Sequence, residues 1–209
     1  MTLQTPLYLV TDAGICQRAG HTVEFVVTEA CRAGVRLVQL REKELSTRAF
    51  IEQAFRIKAI TRHYGATLII NDRVDVALAI DADGVHIGQD DMPYTLARQL
   101  LGKHKIIGLS VNNPAELQAS LALDVDYWGI ATIFATPTKT DTGVALGLET
   151  LVQMCQQTAL PTYAIGGIQL DNAQSVRKTG VTGVAVVSAI CGAASPFEAT
   201  QHLFEQINV

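Results

Sequence analysis

A surplus of either charge is the first thing this chain lacks: 16 lysines and arginines stand against 20 aspartates and glutamates, for a net charge of -4. Without a basic field to hold a polyanion, nucleic-acid binding drops out as a main function. Cysteine is scarce as well. Cys16, Cys31, Cys155 and Cys191 lie far apart and form no C-x-x-C pair, which argues against a metal cluster of Cys and His and for reduced thiols in a cytoplasmic protein. The opening MTLQTPLYLVTD has neither the basic start nor the long apolar core of a secretion signal. The longest uncharged stretch, 179–197, is rich in Gly, Ala, Ser and Thr and reaches Pro196. It is expected to be buried barrel interior, not a membrane span. Glycine and proline are close to average usage, no Pro/Gly/Ser linker divides the chain, and no internal repeat is evident, so low-complexity and collagen-like classes are excluded.

What is present is apolar bulk. The 209 residues are 48% hydrophobic, enough for one domain with a sizeable core, spanning 1–209, and too few for two ordinary ones. Short runs rich in Val, Ile and Leu fall at 7–11, 35–40, 67–70, 84–86, 106–109, 127–130, 162–165 and 183–187. They are continuously apolar, as parallel strands covered on both faces should be. Between them, Phe50, Ala54 and Ile57 share one helical face, and Leu148, Leu151, Val152 and Cys155 share another. Asn113-Pro114-Ala115-Glu116 and Ser195-Pro196-Phe197-Glu198 each read as a capping residue, a first-turn proline and a glutamate that reaches back. Eight β/α repeats point to a single (β/α)8 TIM barrel with parallel strands, near the short limit for that fold, with a doubly wound open sheet as the alternative.

In such a barrel the chemistry sits where strands end. Strand 2 runs into Gln39-Leu40-Arg41-Glu42-Lys43, strand 3 into Asn71-Asp72-Arg73, and strand 4 into His86-Ile87-Gly88-Gln89-Asp90-Asp91. Strand 5 ends in Ser110, strand 6 leads to Thr136-Pro137-Thr138-Lys139, strand 7 ends in Gly166-Gly167 and strand 8 in Ser188. Singly, each has a plain explanation: Asn71-Asp72 as a helix cap, His86 as a partner for backbone, Gly166, Gly167 and Gly183 as packing glycines. Jointly they make an anion-binding face. Glycines after strands 7 and 8, with a short helix near Ser188, suit a phosphate held by backbone N–H groups. Arg41, Lys43 and Lys139 form a second cationic group, and Asp72 and Asp91 offer hard oxygens suited to Mg²⁺. A diphosphate ester carries roughly three negative charges near neutral pH; three cations and Mg²⁺, less two aspartates, balance it.

On these residues the sequence resembles the thiamine-phosphate synthase family. The resemblance runs from Tyr8-Leu9-Val10-Thr11-Asp12 to Val187-Ser188-Ala189-Ile190 and rests on QLREK from Gln39, NDRVD from Asn71, GVHIGQDD from Gly84, Thr136-x-Thr138-Lys139 and Ile165-Gly166-Gly167-Ile168. It implies a Mg²⁺-dependent transferase that joins hydroxymethylpyrimidine diphosphate to thiazole phosphate, releasing pyrophosphate through a dissociative pyrimidine cation. It further implies Arg41, Lys43, Asn71, Ser110 and Lys139 on the pyrophosphate and Asp72 and Asp91 on the metal. Gln39 would meet the aminopyrimidine edge, with Thr136, Thr138, Gly167, Val187 and Ser188 around the thiazole and its phosphate. Such chemistry needs charge stabilisation and positioning, not a strong protein base. The partners are these small molecules, with no nucleic acid or membrane; the oligomeric state is open, a homo-oligomer included.

One departure concerns the strand-6 loop. The family commonly has Gly-Pro before it and Pro ahead of its first Thr, whereas this chain reads Gly129-Ile130-Ala131-Thr132-Ile133-Phe134-Ala135-Thr136, which predicts a looser loop. The nearest alternative is the thiazole tautomerase relative, whose catalytic histidine follows the strand-5 serine by two positions; here that position is Asn112. A phosphosugar-type barrel enzyme and a non-catalytic ligand-binding barrel also remain, though a binding module needs neither both aspartates nor three cations.

Overall fold

The apolar runs become the wall of a closed barrel. In the computed structural model, which describes residues 3–135 and 145–208, the strands are β1 (Leu7–Val10), β2 (Leu37–Leu40), β3 (Thr67–Asn71), β4 (Gly84–Ile87), β5 (Ile106–Val111), β6 (Tyr127–Ala131), β7 (Thr162–Ile165) and β8 (Gly183–Val186). Every neighbour pairs in parallel, and β1 closes on β8 through Leu7↔Val184, Tyr8↔Ala185 and Leu9↔Val186. That closure excludes the open-sheet alternative.

The described helices are α1 (Ala13–Arg18), α2 (Val23–Arg32), α3 (Thr47–His63), α4 (Val74–Ala79), α5 (Tyr94–Leu101), α6 (Pro114–Ser120), α7 (Gly147–Cys155), α8 (Ala173–Arg177), α9 (Ser188–Cys191) and α10 (Pro196–Ile207). The two sequence-predicted starts are in place: Asn113 accepts from the Glu116 amide and Ser195 from the Glu198 amide, each followed by a proline in the first turn. Phe50, Ala54 and Ile57 are all buried on one face of α3.

Alternation along the strands divides two apolar layers. One face of the strands, with Leu9, Val38, Leu68, Val85, Ile107, Trp128, Ala164, Val184 and Val186, packs under the helices. The opposite face, with Tyr8, Val10, Leu37, Ile69, Ile106, Tyr127, Tyr163 and Ala185, fills the barrel. The segment 179–197 is therefore only in small part barrel interior. Within it, β8 contributes Ala185 inward, while Val184 and Val186 face the helices, and the rest comprises the turn into β8, α9, the connection after it and the start of α10. The uncharged composition reflects burial against two layers, not one. Strand 2 begins at Leu37, two residues later than the apolar run suggests, and the Arg36 guanidinium just before it binds the carbonyls of Cys31 and Val35. Cys16 and Cys191, remote in sequence, adjoin in the fold, and all four cysteines are free thiols.

Candidate active site

The strand ends on one rim carry most of the expected residues. Asn71 is the last residue of β3, and the chain then turns through Asp72 at φ 60, a left-handed conformation that Asp tolerates better than most residues. The Asp72 amide bonds the His86 carbonyl at 2.8 Å, fixing the turn to β4. Neither Asn71 nor Asp72 caps α4, whose start has no side-chain cap. The plain capping explanation therefore fails, and both side chains are left for other work.

The Asp72 carboxylate is ion-paired with Lys43 from the β2 loop. Asp91 lies against it and accepts from the Gly88 amide at 2.7 Å. Burial works against ionisation of Asp72, but the bonds from Lys43 and Asp91 outweigh it and hold its carboxyl below the usual range. Burial first, and then the adjoining Asp72, push Asp91 above its ordinary value. Two crowded carboxylates, one raised by burial and by its ionised neighbour, form an oxygen pair that a divalent cation would relieve. Among the described residues no cluster of three or more His, Cys, Asp or Glu forms. That donor set matches Mg²⁺, which takes one or two carboxylates and completes its shell with phosphate oxygens and water.

Arg41 is half-buried and held by Asp12, Nη1 to Oδ2 at 3.2 Å, while the other oxygen of Asp12 caps α1 on the Ile15 amide at 2.9 Å. Asp12 follows strand 1, the one strand end to which the sequence reading assigns no polar role. The signal was there: Thr11-Asp12 follows an apolar run just as Asn71-Asp72 does. Its presence takes one positive charge out of the balance drawn from Arg41, Lys43, Lys139 and Mg²⁺.

Deeper in the barrel, Gln39 is buried and its Nε2 donates to the Tyr8 hydroxyl at 2.7 Å. The Tyr8 and Tyr127 hydroxyls are 2.8 Å apart, Tyr127 meets His86 Nδ1 at 3.0 Å, and His86 Nε2 meets Ser110 Oγ at 2.7 Å. His86 thus binds side chains where a backbone partner was expected. Ser110 lies within β5, not at its end, and its carbonyl accepts from Gln89 Nε2 at 2.7 Å. Asn112 turns away to Glu116, to which its backbone and side-chain nitrogens both donate.

On the opposite side, Gly167 has φ 65, and a Cβ there would lie 2.8 Å from Phe134 Cβ and 2.9 Å from the carbonyl oxygens of Phe134 and Ala135. The turn after β7 is therefore pressed against the continuation of β6. That continuation is tied down: Ile133 and Phe134 donate to the Ile165 and Gly166 carbonyls, and Leu146 and Gly147 to Thr132 and Ile133. Gly183 also has a packing reason, because a Cβ would meet Tyr163 and the Thr5 and Pro6 carbonyls below 3.0 Å. Ser188 begins α9 after Val187, and its hydroxyl accepts from Gln169 Nε2 at 2.8 Å, linking the turns after β7 and β8. Thr136, Thr138 and Lys139 lie outside the described residues.

Comparison with known proteins converges on one group. A family model described as thiamine monophosphate synthase matches residues 7–190. The thiamine-phosphate synthase of Vibrio campbellii is 50% identical over 197 residues, covering 94% of this chain and 95% of that one. That of Archaeoglobus fulgidus is 45% identical over 201 residues, 96% and 92% of the two chains. A solved structure of thiamine phosphate pyrophosphorylase from Pyrococcus furiosus superposes with TM-score 0.88 at 38% identity, covering 98% and 96%. At 16% identity, a 3-hexulose-6-phosphate synthase with TM-score 0.67 shares the fold alone.

Proposed function

Because the chain belongs to the thiamine monophosphate synthase family, we propose that it joins hydroxymethylpyrimidine diphosphate to thiazole phosphate, releasing thiamine phosphate and pyrophosphate. The observation that carries this reading beyond family membership is the convergence of Arg41, Lys43, Asn71, Asp72 and Asp91 on neighbouring strand ends, with the two carboxylates in contact. Mg²⁺, when bound by Asp72 and Asp91, supplies positive charge against the diphosphate oxygens.

The protein's own part is electrostatic. The bond from the pyrimidine methylene carbon to the diphosphate oxygen breaks, with the electron pair leaving on oxygen. Arg41, Lys43 and Lys139 face the charge that develops, with the Asn71 amide and Ser110 hydroxyl as further donors. Lys43 and Arg41 are held beforehand by Asp72 and Asp12, so little reorganisation accompanies the step. Gln39 meets the aminopyrimidine edge, and the ring stabilises the cation. The thiazole nitrogen then forms the new C–N bond, with the thiazole and its phosphate held among Thr136, Thr138, Gly167, Val187 and Ser188. No proton need be removed, which suits a site built of donors and cations.

The tautomerase alternative finds no support at Asn112, which is amide, not imidazole, and is engaged by Glu116. The free thiols favour a cytoplasmic enzyme, and among the described residues no helix is long and apolar enough to cross a membrane. Mass-spectrometric detection of thiamine phosphate from the two substrates, with and without EDTA, tests the proposal: product should form with Mg²⁺ and fall sharply with chelator. Absence of product under both conditions would overturn it.

A further inference from the structure

Tyr8, Tyr127 and His86 have no place in the reaction just described, yet they join two residues that do. We infer that they form a directional hydrogen-bond relay through the barrel interior, which ties the orientation of the Gln39 amide to the donor role of the Ser110 hydroxyl. The three are positioning residues, and this role rests on the substrate assignments proposed above.

The direction follows from counting protons. Gln39 Nε2 can only donate, so the Tyr8 oxygen accepts. The Tyr8 proton then has the Tyr127 oxygen as its partner, and the Tyr127 proton has His86 Nδ1. A neutral imidazole that accepts at Nδ1 carries its proton on Nε2, which gives it to Ser110 Oγ. The Ser110 proton is thereby freed to donate to an anion at the barrel mouth. At the other end, Gln39 keeps Oε1 for an incoming N–H, such as the amino group of the pyrimidine. In this order each of the four links pairs one donor with one acceptor. Burial keeps both phenols protonated, raising Tyr8 and Tyr127 above the ordinary tyrosine range.

Run backwards, the same chain would have Ser110 donate to His86 and Tyr8 donate to a reversed Gln39 amide. Both substrate contacts would then have the wrong polarity. An anion on Ser110 selects the forward order, and with it the amide orientation that accepts from an amino-bearing ring.

The strands make room for this chain. A Cβ at Gly108 would lie 2.1 Å from Tyr127 Cζ, and one at Gly129 would lie 2.8 Å from His86 Cε1. Gly108 stands in register with both rings, opposite His86 on β4 and Tyr127 on β6. The Tyr127 ring stacks on His86 with centroids 5.4 Å apart, and Tyr8 packs edge-on to Tyr127 at 5.9 Å.

Two measurements test the relay. In ¹⁵N-histidine-labelled enzyme, with His86 assigned by loss of its signal in His86→Asn, the ring should show Nε2 protonated and Nδ1 not, and inorganic pyrophosphate should preserve that pattern. Tyr127→Phe should abolish the preference; the opposite tautomer, a doubly protonated ring, or a spectrum unmoved by Tyr127→Phe would overturn the relay whatever the enzyme's substrates are. In kinetics, Gln39→Met and Ser110→Ala should combine non-additively in kcat/KM for the diphosphate substrate, by at least about threefold, and become additive when Tyr127→Phe is present. Additivity in the parent enzyme, or coupling that survives Tyr127→Phe, would overturn it. If either single variant leaves kcat/KM unchanged, the substrate map fails, and the tautomer measurement still judges the relay. Tyr8→Phe breaks the same chain one link earlier and serves as the second variant should Tyr127→Phe fail to fold, as judged by its thermal melt.

Discussion

The two sides of the barrel mouth are built from different materials. From β1 to β5 the rim is made of side chains: Asp12, Arg41, Lys43, Asn71, Asp72, Asp91 and Ser110, most of them held in pairs. From β6 to β8 the described part of the rim is mostly backbone and carries no charged pair: the positive-φ Gly167 pressed on Phe134 and Ala135, the short helix α9, and a single neutral side-chain link from Gln169 to Ser188. One side concentrates charge, which suits a leaving group whose charge grows during reaction. The other offers shape, which suits a phosphate that stays bound and unchanged. If that division is right, changes of charge should act on the diphosphate half and an added methyl on the thiazole half.

Lys43→Ala should have the largest effect. It removes a cation and also leaves Asp72 uncompensated beside the diphosphate. We expect kcat/KM for the diphosphate to fall about 10- to 150-fold, the equivalent of roughly 1.5–3 kcal/mol for a lost charge-assisted hydrogen bond. The KM for thiazole phosphate should change little. Steady-state kinetics with each substrate varied decides this, and a comparable loss in thiazole affinity would mean the two anion sites have been exchanged.

Asp91→Asn comes next. An amide is a weaker ligand for a hard cation, so the Mg²⁺ concentration needed for half-maximal turnover should rise about tenfold, with an unchanged far-UV spectrum. Asp72→Asn should do the same and also release Lys43, lowering diphosphate affinity as well. Titration of activity with Mg²⁺ separates the two variants, and unchanged metal dependence in both would remove these residues from the metal site.

How much of this could be read along the chain depends on distance in sequence. The eight strands were legible because burial on both faces leaves a local mark, Asn71-Asp72 because they close an apolar run directly, and Asp91 because it lies in the short polar segment after the next one. The ion pair between Asp12 and Arg41 was not, since it depends on β1 and β2 lying side by side at the register Val10↔Gln39. The interior chain was less legible still. Tyr8 and His86 sit inside strands and Tyr127 opens one, all among apolar residues and on three different strands, and only the closed barrel brings their polar atoms together. Glycines at 108 and 129 were a trace of that arrangement, visible in sequence but without meaning until the rings opposite them were known.

Gly167→Ala tests the backbone side. The added methyl meets Phe134 and Ala135 below 3.0 Å and sits in a left-handed conformation, for a cost of about 1–3 kcal/mol. Gly147→Ala has a similar φ of 71 but nothing within 4 Å, so it should lose stability without the collision. The melting temperature should fall further for Gly167→Ala, and its KM for thiazole phosphate should rise severalfold while Gly147→Ala keeps the parent value. Because the collision is with the continuation of β6, the damage is expected to pass into the loop that carries Thr136 and Lys139. A modest loss on the diphosphate side therefore accompanies it, smaller than that of Lys43→Ala.

The smallest effect is expected at Asp12, where two consequences oppose each other. Asp12→Asn keeps an oxygen to cap α1 on the Ile15 amide, so the melt should stay close to that of the parent. The lost charge removes a repulsion from the neighbourhood of the diphosphate, which favours binding. It also loosens the grip on the Arg41 guanidinium, both partners of that pair being only about one-fifth exposed, and this costs positioning as the leaving group departs. Binding and turnover should therefore separate: KM for the diphosphate unchanged or lower, kcat down about threefold, or roughly 0.7 kcal/mol. Arg41→Ala, by contrast, removes the cation itself and should raise KM. If Asp12→Asn raises KM as Arg41→Ala does, the aspartate is holding the guanidinium in the binding-competent place, and the charge balance at this corner is set by geometry more than by net charge.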